Sequence, residues 1–83
     1  MRTAILRKKV REVLAMAPAR RFTEQMILDG VNELIADKAE MSEIRRAIDW
    51  NHESGYIEYK YNRDYDRDEW FLTERGKQKA SNE

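Results

Sequence analysis

The spacing of apolar residues changes once along this 83-residue chain, at Gly55. Before Gly55, apolar residues recur every three to four positions, which is the repeat of an amphipathic helix. After it, the segment 56–61 alternates and is rich in aromatic and β-branched residues, which is typical of a strand. A chain this short supports a single hydrophobic core. The pattern therefore predicts one α+β domain over 1–83, with three helices, a two-stranded antiparallel hairpin and a short C-terminal helical tail.

The first two predicted helices precede residue 36. The first covers 3–16 and ends before Pro18, because proline removes a backbone donor and clashes with the preceding turn. The second runs from Thr23, its predicted N-cap, to about residue 35, and Gly30 within it indicates close packing against a neighbour. The predicted apolar faces contain Ile5, Leu6, Val10, Val13 and Leu14 in the first helix and Ile27, Leu28, Val31, Leu34 and Ile35 in the second.

The third predicted helix covers 42–53, with Ser42 as its N-cap and Gly55 as the residue that ends it. Its predicted inward positions are Ile44, Ala47, Ile48 and Asn51. A buried asparagine needs hydrogen-bond partners, so Asn51 is an unusual member of this set.

The hairpin strands are predicted at 56–61 and 69–73, joined by a polar turn at 62–68. A helical tail then runs from 74 to about 80, with Thr73 as its N-cap. Residues 81–83 are predicted to fray, as chain ends do when nothing holds them.

Composition excludes several classes of function. Lys and Arg total 16 and Asp and Glu total 16, which excludes a uniformly basic binder. The chain has no cysteine and one histidine, so it has no disulfide, no thiolate metal site and no multi-histidine site. No apolar run approaches the roughly 20 residues of a membrane span, and no signal peptide is recognised. We therefore expect a cytoplasmic protein with no membrane partner and no cofactor.

Two local patterns fail as chemical sites. The acidic run at 64–68 lacks the glycine and the glutamate of a calcium-binding loop, since those positions hold Glu69 and Arg75. His52 lies beside Glu53 and Ser54, but adjacent helical positions point in different directions. We therefore predict no metal site and no enzyme.

The net charge of zero hides strong segregation along the chain. Residues 1–22 carry a net charge of about +6 and residues 23–44 about −5, by counting charged side chains. One interpretation is a basic contact surface. The other is that the first helix lies beside the acidic second helix, so that each shields the other. The sequence leaves both open.

Three motifs resemble a winged helix-turn-helix domain. Ile44-Arg45-Arg46-Ala47-Ile48 resembles the start of that family's recognition helix, and Gly55-Tyr56-Ile57 resembles the start of its wing. Leu72-Thr73-Glu74-Arg75-Gly76 resembles the motif that ends the wing in many bacterial members. The family usually has leucine at the position of Asn51. The segment 14–18, the helix after Phe22 and the ending of the wing also look like small proteins of Mu-like prophages, which suggests a bacterial or phage origin.

The resemblance implies double-stranded DNA as the partner, with the third helix (42–53) in the major groove and the wing (59–70) near the backbone. Arginine can bind guanine or phosphate, and aspartate can select a cytosine amino group or pair with a nearby arginine. Many such proteins act as homodimers, and the first helix is a candidate for that contact. The implied DNA-binding residues are Ser42, Arg45, Arg46 and Asp49 on the helix and Lys60, Arg63 and Arg67 on the wing.

A second interpretation keeps the fold but replaces DNA by a protein partner. Acidic residues are interleaved with the wing cations, and such acids would repel phosphate. Aromatic residues are also dense after residue 49, and interfaces use tyrosine and tryptophan as anchors. In this reading the acidic second helix and the hairpin contact the partner, through Trp50, Tyr59, Tyr61, Tyr65 and Trp70.

Overall fold

The computed structural model describes residues 2–83, so Met1 of the predicted 1–83 domain lies outside the described residues. The elements follow the predicted α+β order of three helices, a hairpin and a helical tail. Their bounds are α1 Thr3–Met16, α2 Glu24–Leu34, α3 Met41–Glu53, β1 Ile57–Asn62, β2 Arg67–Leu72 and α4 Glu74–Ser81. No helix within residues 2–83 has the length and apolar character needed to cross a membrane.

Local capping signals in the sequence place three of the element boundaries. The side chain of Thr23 accepts a hydrogen bond from the Met26 N–H at the start of α2. Thr73 caps α4 in the same way, accepting from the Gly76 N–H. Gly55 follows α3 with a φ of 80°, a left-handed conformation that glycine adopts without strain. These three boundary predictions are confirmed.

The predicted N-cap of α3 is wrong. Ser42 lies inside the helix, which begins at Met41 with Glu40 as its cap. The Glu40 side chain accepts from the Glu43 backbone, and the Glu43 side chain accepts from the Glu40 N–H at 3.0 Å. This reciprocal capping box satisfies two orphan donors, whereas a serine cap two residues later would satisfy one.

The core forms where the three helices meet the base of the hairpin. The four predicted inward positions of α3 are all buried. Ile5 is a correction, because its side chain is 52% exposed at the edge of the predicted apolar face of α1. The fully buried large side chains are Leu14, Ile27, Ile44, Ile48, Ile57, Val10, Val31 and Asn51.

The hairpin is longer than predicted and gains a third short partner. β1 and β2 pair antiparallel from Ile57 opposite Leu72 to Asn62 opposite Arg67, so the turn contains only residues 63–66. Phe22 and Trp70 exchange backbone hydrogen bonds of 2.8 and 2.7 Å across an isolated bridge. This bridge ties the segment before α2 to the base of the hairpin.

Two glycines permit close approaches between elements. A Cβ on Gly30 would lie 2.8 Å from Cγ1 of Val13, so α2 packs tightly on α1 as predicted. A Cβ on Gly76 would lie 1.9 Å from the Tyr56 carbonyl oxygen, which is backbone and cannot rotate away. The first turn of α4 therefore rests directly on the chain that enters β1.

The chain end packs against α1. Helix α4 extends through Ser81, and the Glu83 carboxylate, in the segment predicted to fray, binds the guanidinium of Arg11. This contact joins residues 72 positions apart in sequence.

Candidate nucleic-acid interface

The outward side of α3 presents a row of polar side chains. The buried set Ile44, Ala47, Ile48 and Asn51 fixes the rotation of the helix. Ser42, Arg46 and Asp49, spaced four and three residues apart, then fall on the opposite side, and all three are exposed. Within residues 2–83, the side chain of Arg46 forms neither an ion pair nor a hydrogen bond. This row is the part of α3 most open to a large partner.

Arg45 lies on the flank of α3 that faces α2. Its Nε atom lies 3.4 Å from Glu24 Oε1, an exposed pair of a kind that contributes little to stability. The predicted alternative pairing of Asp49 with Arg45 or Arg46 does not form among the described residues. Arg45 and Arg46 therefore differ, since Arg45 forms an ion pair, whereas Arg46 forms none among the described residues and only lowers the pKa of Glu43 through its charge.

The N-terminus of α3 is occupied by acidic residues. Glu43 binds Arg2 through two hydrogen bonds of 2.9 and 3.1 Å. Hydrogen bonding to Arg2 and to the Glu40 backbone holds the pKa of Glu43 below its usual value. A phosphate that approached the backbone at Ser42 would meet these carboxylates, so the hydroxyl of Ser42 is the more suitable donor there.

The predicted DNA-binding cations of the wing differ in whether they form an ion pair. Lys60 and Arg63 are exposed and, within residues 2–83, form no ion pair. Arg67 instead binds Glu69 at 3.0 Å and lies over the Tyr65 ring at 4.6 Å. Two of the three predicted wing contacts are therefore available without rearrangement.

The tip of the wing is ordered by local side-chain contacts. The hydroxyl of Tyr61 donates to Asp66, and this hydrogen bond raises the pKa of Tyr61. Asp66 itself adopts a positive φ of 50° in the turn. The acidic residues of the tip thus support its shape.

The aromatic side chains separate into exposed and covered groups. Tyr59, Tyr61 and Tyr65 are exposed, with Tyr65 the most open at 68%. Trp70 is only 7% exposed, and its ring packs against His52 and Tyr59. Trp50 is half-buried with the guanidinium of Arg7 over its ring at 4.6 Å. A protein partner that binds through Trp70 is therefore not supported.

Sequence reasoning missed a buried polar junction between α1, α3 and α4. Asn51 Oδ1 accepts from Arg11 Nη1 at 2.9 Å, and Asn51 Nδ2 donates to the carbonyls of Arg7 and Ala47. Arg11 also binds Glu83 through two hydrogen bonds of 2.8 Å. The polar residue at an inward position of α3 was the one signal that pointed here.

Comparisons with known proteins give a likeness of fold. No protein-family model matches the sequence, and a search of curated proteins also finds no match. Among solved structures, a double-substituted variant of ZitR from Lactococcus lactis in its apo form aligns with a TM-score of 0.68 at 18% sequence identity. The alignment covers 95% of this chain, which spans 56% of the length of the ZitR chain. Together with the order of helices, hairpin and tail, this likeness shows that the chain has the winged-helix fold.

Proposed function

We propose that this chain is a DNA-binding winged-helix protein, a small bacterial or phage transcriptional regulator. In the proposal α3 enters the major groove of duplex DNA and the wing lies along the backbone. The observation that carries the proposal is the exposed row of Ser42, Arg46 and Asp49 on α3. A helix that buries one side in its own domain and presents a polar row on the other is suited to the groove.

Each residue of the row has a chemical role in this proposal. Arg46 binds a guanine edge through its two-pronged guanidinium, because its side chain forms no ion pair or hydrogen bond within residues 2–83. Asp49 accepts from a cytosine amino group, and the Ser42 hydroxyl donates to a phosphate. Arg45 contacts phosphate when its exposed pair with Glu24 opens.

The wing supplies contacts to the backbone. Lys60 and Arg63 are exposed and bind phosphates directly. Arg67 must first leave Glu69, so its contribution is smaller. The proposal also includes a homodimer, for which α1 is the candidate contact.

The test is fluorescence anisotropy with a labelled mixed-sequence duplex, titrated at low and at physiological salt. We expect affinity to fall steeply as salt rises, because bound cations release counterions from the DNA. Arg46→Ala should weaken binding by about 1–3 kcal/mol. Lys9→Ala removes the same charge from α1, where Lys9 binds Glu12, and serves as the matched control. Equal affinities for the two variants would remove Arg46 from the interface.

A protein partner is the second candidate function, and the three exposed wing tyrosines favour it. Tyr59, Tyr61 and Tyr65 offer aromatic area outside the core, and α2 adds acidic residues such as Glu33. The affinity of an aromatic interface depends weakly on salt, whereas the affinity for duplex DNA falls steeply as salt rises. Absence of duplex binding even at low salt would favour this second candidate.

A further inference from the structure

Arg11 presents one edge of its guanidinium to a carboxylate in the geometry that also fits phosphate. Its Nε and Nη2 atoms donate to Oε1 and Oε2 of Glu83, each at 2.8 Å. Parallel two-pronged contacts of this kind recognise carboxylate and phosphate alike. The Glu83 carboxylate therefore marks the position of an anion.

The remaining edge of Arg11 is held by the core, independently of Glu83. Its Nη1 donates to Asn51 Oδ1 at 2.9 Å and to the Arg7 carbonyl at 3.3 Å. Asn51 is fully buried and makes two further hydrogen bonds. If Glu83 leaves, the guanidinium stays in place with its Nε and Nη2 donors open to solvent.

Further cations and two aromatic rings surround this position. Arg11 and Arg75 lie on the Tyr56 ring at 5.2 and 5.3 Å, and Arg7 lies on the Trp50 ring at 4.6 Å. Hydrogen bonding to Arg11 lowers the pKa of Glu83, with smaller contributions from two nearby lysine charges. We call this set the arginine cluster: Arg7, Lys8, Arg11, Trp50, Tyr56, Arg75 and Lys79.

The arginine cluster is more cationic than the surface of α3 and the wing. It contains five cations and is countered there by Glu83. Two cations of α3 and the wing are instead paired with acids, Arg45 with Glu24 of α2 and Arg67 with Glu69. The arginine cluster therefore gathers five cations around one bound carboxylate, at the flank of α3 that carries Trp50.

We infer that Arg11 and the cations around it form a second phosphate-binding site for the duplex backbone, and that Glu83 occupies this site as an intramolecular competitor in the free protein. The inference rests on the proposed function, because that function brings a phosphate polymer to the neighbouring face of α3. Phosphate of the bound duplex displaces the Glu83 carboxylate and takes its two hydrogen bonds from Arg11.

A polyanion fits the arginine cluster better than a single small anion does. The guanidinium of Arg11 is surrounded by three exposed cations, Lys8, Arg75 and Lys79. Successive phosphates of one strand could therefore each contact a positive charge. An acidic peptide would offer the same charge without the connection to α3. Competition between the duplex and a poly-glutamate peptide shows which of the two kinds of partner the arginine cluster binds.

The first test compares two variants of equal net charge by duplex anisotropy. Glu83→Gln removes the competing carboxylate, and Glu74→Gln removes an exposed carboxylate from the first turn of α4, which precedes Glu83. We expect Glu83→Gln to bind about fivefold more tightly at low salt than wild type, because the competing pair no longer has to open. Glu74→Gln should change affinity much less. Equal affinities for both variants would overturn the competitor role.

The second test locates the duplex by NMR of the ¹⁵N-labelled full chain. Shifts of the Lys8, Arg75 and Lys79 amides on adding duplex, larger in Glu83→Gln than in wild type, support the second site. Shifts confined to the Ser42 and Asp49 amides on α3 would sink this inference and leave the proposed function standing. Shifts confined to the arginine cluster would support phosphate binding at Arg11 and contradict α3 as the reading helix. No shift in either set would reject the second site and the proposed function together. A poly-glutamate peptide that shifts the cluster while the duplex does not would overturn the inference in favour of a protein partner.

Discussion

The wing and the arginine cluster contain the same kinds of contact but in different surroundings. In the wing, Arg67 binds Glu69 at 3.0 Å and lies over Tyr65, and the arginine side chain is about half exposed. In the cluster, Arg11 binds Glu83 at 2.8 Å and lies over Tyr56, and Arg11 is only 5% exposed. The two carboxylates are about equally covered, at 13% and 15% exposed, so the pairs differ at the arginine: water reaches Arg67 and is largely excluded from Arg11. Removing the partner of the buried arginine should therefore cost more free energy.

Burial also changes what the contacts hold in place. The wing pair joins residues two apart on one strand, so it orders only the hairpin tip. The Arg11 contacts join α1 to α3 over 40 residues and to the chain end over 72 residues. We expect loss of the cluster to disturb the packing of three elements, and loss of the wing pair to leave the core intact.

The largest expected effect comes from Asn51→Leu, which installs the residue that the winged-helix family usually has there. Leucine removes the Oδ1 acceptor of the Arg11 Nη1 donor and leaves a buried guanidinium partly unsatisfied. We expect the free energy of unfolding to fall by about 2–4 kcal/mol, as measured by urea denaturation.

The double variant Asn51→Leu with Arg11→Met is the control for that prediction. Because it removes the buried charge together with its acceptor, it should be more stable than Asn51→Leu alone. If Asn51→Leu were as stable as wild type, the buried contacts of Arg11 would contribute no more to the free energy of unfolding than the wing pair does.

A smaller effect is expected from acid. Hydrogen bonding to Arg11 lowers the pKa of Glu83 in the folded chain, while the unfolded value is about 4.3. The stability that this pair contributes is therefore present above the unfolded pKa and is lost as pH falls through the lowered folded pKa. Urea denaturation between pH 7 and pH 2 should show this loss in wild type.

Glu83→Gln sharpens the acid experiment because it cannot titrate at residue 83. Its stability should be lower than wild type at pH 7 by about 1–2 kcal/mol. The difference should shrink toward pH 2. The exposed variant Glu74→Gln is the matched control for the loss of one carboxylate from this part of the chain. A difference for Glu83→Gln that does not change with pH would contradict the role of this ion pair.

The smallest effect is expected in the wing. Arg67→Ala should change the free energy of unfolding by less than about 0.5 kcal/mol, because exposed pairs gain little in water. Its thermal unfolding curve should nearly overlay that of wild type. A loss similar to that of Asn51→Leu would remove the distinction between the two regions.

Short-range sequence signals account for the local structure of this protein. The helical and alternating repeats predict the order of elements. Thr23, Thr73 and Gly55 mark three boundaries, since caps and left-handed residues act within one turn. The buried side of α3 follows from the same periodicity, and it places Ser42, Arg46 and Asp49 outward. Ser42 was misassigned as a cap because the Glu40–Glu43 capping box starts the helix two residues earlier.

The pairing of polar groups from distant elements depends on the three-dimensional packing of the chain. The partners of Asn51 come from α1, Phe22 pairs with Trp70 across 48 positions, and Glu83 reaches Arg11. Local pattern cannot anticipate such contacts, because they depend on the path of the chain between distant elements. For the same reason, the sequence identifies the cations of the wing but does not show which of them are paired. The structure shows that Arg67 binds Glu69, whereas Lys60 is exposed.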